Sequence, residues 1–423
     1  LREPVQRWFE RIAESPVWAR IRPRLSEALL AELPRVVACS EFVAAALLQD
    51  PEALVWLSEQ ASDEALAGAA AAALNEAQAL ATLRAWRRRM MLRIAWRDLT
   101  GAASVPETLR ALSAFADAAI ATAVAIARRL LQPVFGEPRN AAGEVVPLIV
   151  LGMGKLGGHE LNFSSDVDLV LLFAEQGTTD GPRAIENTEY FQRLGRQFIH
   201  LLDARTEDGF VFRVDMRLRP FGDSGPLVVS LAALEEYLQQ HGRDWERYAW
   251  IKARPIVATE AYATTFQNTV KPFVYRRYLD FGVFESLRDM KALIAREVAR
   301  RDLEQDLKLG KGGIREIEFI VQSFQLVRGG GDRRLQTPSL LEVLPLLCGA
   351  KLLAKAAAME LADAYLVLRK AENALQMLRD EQTHKLPQAA ADRLRLAVAL
   401  NLGDWAATQA RIEAAREVAA RQF

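Results

Sequence analysis

Cysteine is nearly missing from this sequence: Cys39 and Cys348 are the only two in 423 residues, and no Cys-x-x-Cys pair occurs. A disulfide framework and a thiolate zinc site are therefore not expected, and the usage fits a reducing cytoplasm. Histidine is scarce too. His159, His200, His241 and His384 share no metal-ligand spacing, and no Ser-His-Asp or Cys-His arrangement stands out. Net charge is absent, with 54 basic residues against 54 acidic. No global field draws this chain to nucleic acid or an anionic membrane, so any anion binding must be local. No long apolar run survives inspection: the best, Ala111 to Ala127, is alanine-rich and carries Asp117, so no membrane span is expected. The opening Leu1-Arg2-Glu3-Pro4 has no charged-then-apolar leader. It also lacks a Met, and the chain ends in the charged helical run 406–423, which reads as a piece of something longer.

What is present falls into three textures. Residues 1–131 are rich in Ala, Leu, Arg and Glu, with apolar positions at three-and-four spacing such as Leu83, Trp86, Met90 and Ile94, and are expected as an N-terminal helical region. The linker 132–146, with Pro133, Gly136, Pro138, Asn140 and Gly143, marks a boundary. Residues 132–260 predict a small α/β domain, with strands at Pro147 to Leu151, Val167 to Phe173, Phe210 to Leu218 and Leu227 to Val229. Helices are predicted from Glu186 to Leu202 and from Leu231 to His241, the second opened by Ser230 and stopped by Gly242. Residues 261–423 predict a C-terminal helical bundle, broken at Gly310-Lys311-Gly312-Gly313 and at Arg328 to Pro338. The fold class expected is α+β and predominantly helical.

The chemistry concentrates between Leu151 and Phe173. Asp166 and Asp168 begin an apolar strand two residues apart, so they share a face with roots about 7 Å apart along the chain. A Mg²⁺ ion takes one or two carboxylates plus phosphate oxygens and water, which suits Asp-x-Asp at an open strand end. A third acid, Asp215, falls in the alternating run Phe210 to Arg219 on the side of Arg213, Arg217 and Arg219. One reading places a metal-holding carboxylate between guanidinium forks for phosphate; the other is a salt-bridged surface strand. Three carboxylates on neighbouring strands can hold two ions about 4 Å apart across an in-line phosphoryl displacement. Gly157 and Gly158 are candidates for a phosphate cradle, and Ser165 for an added hydroxyl donor.

Two better-known phosphate motifs fail here. Gly152-x-Gly154-x-x-Gly157 follows a strand, but only residues 158–165 separate it from the next strand, too few for the long helix of a dinucleotide fold. A Walker loop fails because Lys155 is followed by Leu156. Downstream, Arg315, Glu318, Gln322 and Gln325 form one polar stripe of a helix that also carries Glu316. Glu372 interrupts the apolar stripe of Leu361, Tyr365, Leu368 and Leu375, where an unpaired carboxylate is costly. Both admit two readings, a ligand-facing cleft or a buried ion network. The cluster Arg243, Arg247, Lys252 and Arg254, interleaved with Trp245, Tyr248 and Trp250, is expected as an interdomain surface.

Gly152 to Leu169, reading Gly-x-Gly-Lys-Leu-Gly-Gly-x-Glu-Leu-Asn-Phe-Ser-Ser-Asp-x-Asp-Leu, resembles the signature of the glutamine synthetase adenylyltransferases, within the DNA polymerase β-like nucleotidyltransferase superfamily. Val214 to Pro220, Trp245 to Pro255, Gly312 to Phe319 and Asp380 to Pro387 extend the likeness over most of the chain from Val146 onward. The resemblance implies a polymerase β-like domain with a mixed sheet between the two helical regions. It implies Mg²⁺, two ions, on Asp166, Asp168 and Asp215, with Gly157, Gly158, Ser165, Arg217 and Arg219 at phosphate or nucleotide, and Arg315, Glu316 and Glu318 in support. Family members resemble two fused copies, one removing AMP from a glutamine synthetase tyrosine by phosphorolysis and one attaching it from ATP. Asn162 and Phe163 are similar to the removing, N-terminal half; the other half usually has Gly and Tyr there. The implied substrates are phosphate and ADP, and the implied partners are glutamine synthetase, the P-II signal protein and an adenylylating half on the same polypeptide.

Overall fold

A computed structural model describes residues 1–276, 285, 287–293, 296, 303 and 305–423. It is α+β and mostly helical, as the sequence predicts, with one mixed five-stranded sheet.

Seven short strands occur among the described residues: β1 Pro138–Arg139, β2 Leu148–Gly152, β3 Val167–Phe173, β4 Thr178–Thr179, β5 Val214–Asp215, β6 Val228–Ser230 and β7 Arg254–Val257. β1 and β4 form a separate ribbon. In the main sheet β2 lies antiparallel to both β3 and β7. The far edge of β3 is shared: Val167 and Asp168 pair parallel with β5, and Leu171 to Phe173 pair parallel with β6. β3 matches its predicted bounds, and its near-continuous apolar run is explained by burial on both faces.

Successive strand residues point to opposite faces, so Val167, Leu169, Leu171 and Phe173 face one way, and Asp168, Val170 and Leu172 the other. The first set joins one apolar core that runs from Trp8 through the sheet to Ala419. Val170 and Leu172 join a second core with Val229, Trp250 and Phe266. Each fully buried aliphatic here stabilises by roughly 1.5–3 kcal/mol.

The N-terminal helices set the position of β5. Helix Glu76–Thr100 is capped by the Asn75 side chain, which accepts the Gln78 N–H, and ends at Gly101 with φ +79°. From its buried side Arg84 donates to the Gly209 carbonyl and Arg87 to the Val211 carbonyl. Trp86 meets Phe115 edge-on at 5.3 Å, and Phe115 meets Phe212 at 5.5 Å. Phe115 belongs to helix Val105–Phe135, which by length and composition alone is apolar enough to cross a membrane. Its apolar residues Leu112, Ala116, Ile120 and Ala123 are instead core against the sheet.

One strand is shorter than predicted. The run 210–218 alternates in sequence, but Val211 and Phe212 are both buried, and the ladder holds only Val214 and Asp215. Pro220 follows at once, and Arg219 N–H and Gly222 N–H turn back onto Met216 and Arg219 carbonyls. The apolar period thus mimicked a strand in what is mostly a turn. Helices appear close to their predicted spans at Asn187–Asp203 and Leu231–Gln240, and Ser230 caps the latter by accepting the Ala233 N–H. Part of the bundle expected from 261 onward lies outside the described residues; the rest holds helices Glu260–Val274, Ile314–Arg328, Lys355–Arg379 and Trp405–Gln422 among others.

Candidate active site

Asp168 sits directly opposite Asp215 in the parallel pairing of β3 with β5. Strands pair about 4.8 Å apart and laterally paired residues share a face, so the two carboxyl groups emerge side by side. Asp166, two residues before Asp168, joins them from the loop leading into β3. Their charges register on one another: burial first, then Asp166, then Asp215, push the Asp168 carboxyl up to about 7, against the pull of Lys308 and Lys155. Among the described residues the Asp168 carboxyl oxygens accept no hydrogen bond, and Oδ2 lies so near Gly154 that a Cβ there would meet it at 2.8 Å.

The other two acids are held. Gln382 Nε2 donates to Asp166 Oδ1 at 2.9 Å. Arg217 clasps Asp215, with Nε at 2.8 Å from Oδ2 and Nη2 on the same oxygen. Burial raises the Asp215 carboxyl, but the bonds from Arg217 outweigh it and hold it below the usual range. Among the described residues no group of three His, Cys, Asp or Glu side chains is already gathered at metal-ligating spacing. Asp215 is engaged instead by an Arg217 side chain that is 73 % exposed. The donor set still fits a hard divalent cation: three carboxylates meet at one strand end, and the Asp168 carboxyl is pushed up by burial and by its two acidic neighbours despite Lys308 and Lys155, a charge balance that a cation would relieve.

The loop carrying Asp166 is gripped from helix Lys355–Arg379. Asn373 Oδ1 accepts the Phe163 N–H at 3.1 Å, and Gln376 Oε1 the Ser164 N–H at 2.9 Å. Arg369 binds the Glu160 carbonyl and Asn162 Oδ1. Asn162 and Phe163 are thus core positions, Phe163 packing edge-on against Phe42 at 5.6 Å. Ser165 is half-buried beside Asp166, and its hydroxyl has no partner among the described residues.

Gly157 and Gly158 are packed rather than open. Their N–H groups bond the Met153 and Gly154 carbonyls, and a Cβ on Gly157 would stand 1.7 Å from the Lys252 carbonyl oxygen. Glycine is needed there for close approach of β7's lead-in, and the glycine beside the acids is Gly154, φ +50°. Arg219 is tied into the turn, bonding the Met216 carbonyl at 2.7 Å and Asp223, while its charge still acts on Asp215.

Glu372 belongs to a buried ion network, one of its two readings. Lys155 Nζ donates to Oε1 at 2.9 Å, His384 Nδ1 lies 2.8 Å from the same oxygen, and Arg369 Nε is 3.3 Å from Oε2. Burial lowers the Lys155 amine to about 8 despite Glu372. Burial alone would raise Glu372, but Lys155, His384 and Arg369 hold it well below the carboxylate range. The polar stripe on helix Ile314–Arg328 resolves the same way: Glu318 pairs with Lys252 at 2.9 Å, Gln322 reaches the Tyr248 carbonyl, and Gln325 the Leu335 carbonyl. Glu316 accepts the Gly312 N–H, closing the turn before its own helix. Arg315 is on the same helix, its N–H bonding the Lys308 carbonyl. Most of the basic cluster is tied into the fold: Lys252 joins Glu160 to Glu318, Arg247 takes the Phe273 and Val274 carbonyls, and Arg254 pairs with Asp117, while Arg243 and Trp245 are exposed.

Sequence reasoning missed Lys308 and Gln382. Lys308 is a cation whose charge reaches both Asp168 and Lys155, carried on a loop whose Leu307 N–H bonds the His384 carbonyl. The signal available was a lysine just ahead of the Gly310 to Gly313 run. A cleft of about 460 Å³ beyond Asp380 is lined by Arg84, Arg87, Arg88 and Arg379. Each of those guanidinium groups is already bonded within the fold, so the cleft is a groove between elements.

A mixed sheet with three acids side by side at the start of its central strand, backed by helices, defines the nucleotidyltransferase class. The chain belongs to the glutamate-ammonia ligase adenylyltransferase family, whose model matches residues 30–269, more than half its length. A second model, GlnD PII-uridylyltransferase, matches residues 288–422. The chain is 52 % identical over 334 residues to a bifunctional glutamine synthetase adenylyltransferase/adenylyl-removing enzyme of Thioalkalivibrio sulfidiphilus. That alignment takes in 79 % of this chain and 34 % of the relative, so the chain spans about a third of it.

Proposed function

We propose that this chain removes AMP from an adenylylated tyrosine of glutamine synthetase by phosphorolysis. The observation that carries the reading is the lateral pairing of Asp168 with Asp215, with Asp166 in the loop leading into β3. Phosphate oxygen attacks the α-phosphorus, the bond from phosphorus to the tyrosine oxygen breaks, the phenolate leaves and takes a proton, and ADP forms. Asp166, Asp168 and Asp215 would hold Mg²⁺, two ions by analogy with related transferases, and the metal would neutralise charge on the attacking and leaving oxygens. Arg217, once it swings off Asp215, offers its fork to phosphate oxygens; Lys308 supplies a second positive charge, and Ser165 a hydroxyl donor. The direction rests on Asn162-Phe163, which match the removing half of the family.

Residues 132–260 form the catalytic unit in this reading, with 1–131 and 261–423 as flanking helical regions. Control by P-II and an adenylylating half on the same polypeptide complete it.

Steady-state assays decide the reaction. ADP release from adenylylated glutamine synthetase and phosphate, without AMP incorporation from ATP into the unmodified enzyme, supports removal; the reverse pattern assigns the forward reaction. Asp166→Asn should abolish the activity; unchanged phosphorolysis in that variant would remove Asp166 from the site, and a wild-type chain with neither activity would be a binding module.

A further inference from the structure

The C-cap of helix Lys355–Arg379 begins a short strap across the acids. Asp380 takes φ +55°, a left-handed turn that aims the chain back over the sheet edge. Both ends of the strap are tied. Asp380 Oδ2 accepts Arg87 Nη2 at 2.7 Å, from the N-terminal helix that also fixes the lead-in to β5. His384 stands 2.8 Å from the buried Glu372, its carbonyl accepts the Leu307 N–H at 2.8 Å, and Lys385 bridges Asp306. In mid-strap Gln376 Nε2 donates to the Thr383 carbonyl at 3.4 Å. Between these ties Gln382, itself exposed, turns inward and donates to Asp166 Oδ1.

A carboxylate has two oxygens, and a bond fixed on one orients the other. We propose that Gln382 is the positioning residue for Asp166: by holding Oδ1 it aims the second oxygen toward Asp168 and Asp215, where a divalent cation is to be shared. This rests on the reading that the three acids hold metal. It assigns part of the metal site to the C-terminal helical region, outside the sheet that bears the acids. Groups that orient metal ligands typically govern metal affinity by about 10- to 100-fold.

The test is Mn²⁺ binding by this chain, read from the free-ion electron paramagnetic resonance signal without substrate, beside thermal unfolding. Gln382→Leu removes the donor at an exposed position; the expected result is Mn²⁺ binding about tenfold weaker, an unchanged melting temperature, and partial recovery in Gln382→Asn. Asp168→Asn serves as the control. Wild-type affinity in Gln382→Leu, with binding lost in Asp168→Asn, overturns the positioning role and leaves the metal reading standing. Wild-type chain that binds no Mn²⁺ overturns both.

Discussion

Lys155 and Glu372 meet at 2.9 Å in a seam where the lysine side chain is 9 % exposed and the glutamate not at all. The contact joins the turn after β2 to helix Lys355–Arg379, so it ties the sheet to the helix that grips the Asp166 loop. Removing one partner of a buried pair strands the other charge, at a cost of about 3–5 kcal/mol. Glu372→Gln should therefore destabilise by that order in urea titration. Lys155→Met combined with Glu372→Leu should recover only part of the loss, because the lysine charge is gone but Arg369, fully buried, still faces the vacated site.

The Glu318 and Lys252 pair gives a pH signature. Burial raises Glu318, but Lys252 outweighs it and holds the carboxyl at about 2, below its usual 4.5. A carboxyl lowered on folding contributes stability that is complete above the unfolded value and is lost as pH falls through the folded one. The window is therefore pH 4.5 down to 2, with on the order of 3 kcal/mol at stake. Glu318→Gln should be less stable than wild type at pH 6, and the gap should close as the pH approaches 2; a constant gap would contradict the assignment.

Arg217 competes with any cation for Asp215. Arg217→Ala should bind Mn²⁺ severalfold more tightly, since no clasp has to open, while the KM for phosphate rises by about tenfold for loss of a charge-assisted contact. Opposite movement of the two quantities is what separates this from general damage to the site.

Lys308 offers positive charge beside Asp168 without an ion-pair partner within 4 Å among the described residues. Lys308→Ala should raise the KM for phosphate about tenfold with little change in melting temperature, and Lys308→Arg should recover part of it. A fall in kcat at constant KM would instead place the amine at the leaving group.

Much of the sheet and the acid pair was legible because it is local. β3 is a bounded apolar run preceded by Asp-x-Asp, and helix Leu231–Gln240 opens on a serine cap. The turn at 216–225 was not legible, because an apolar alternation set by packing of Val211 and Phe212 looks like a strand period. Nor could the sequence choose between a ligand role and an ion network for Glu372, whose partner lies 217 positions away. Gln382 and Asp166 are 216 apart, and no spacing rule connects them.

The apolar core that runs unbroken from Trp8 to Ala419 sets how this stretch can be inherited. A fusion, duplication or deletion that cut through it would leave half a core bare to solvent and prone to clump. Recombination that preserves a folded product must therefore exchange the segment whole, helices and sheet together.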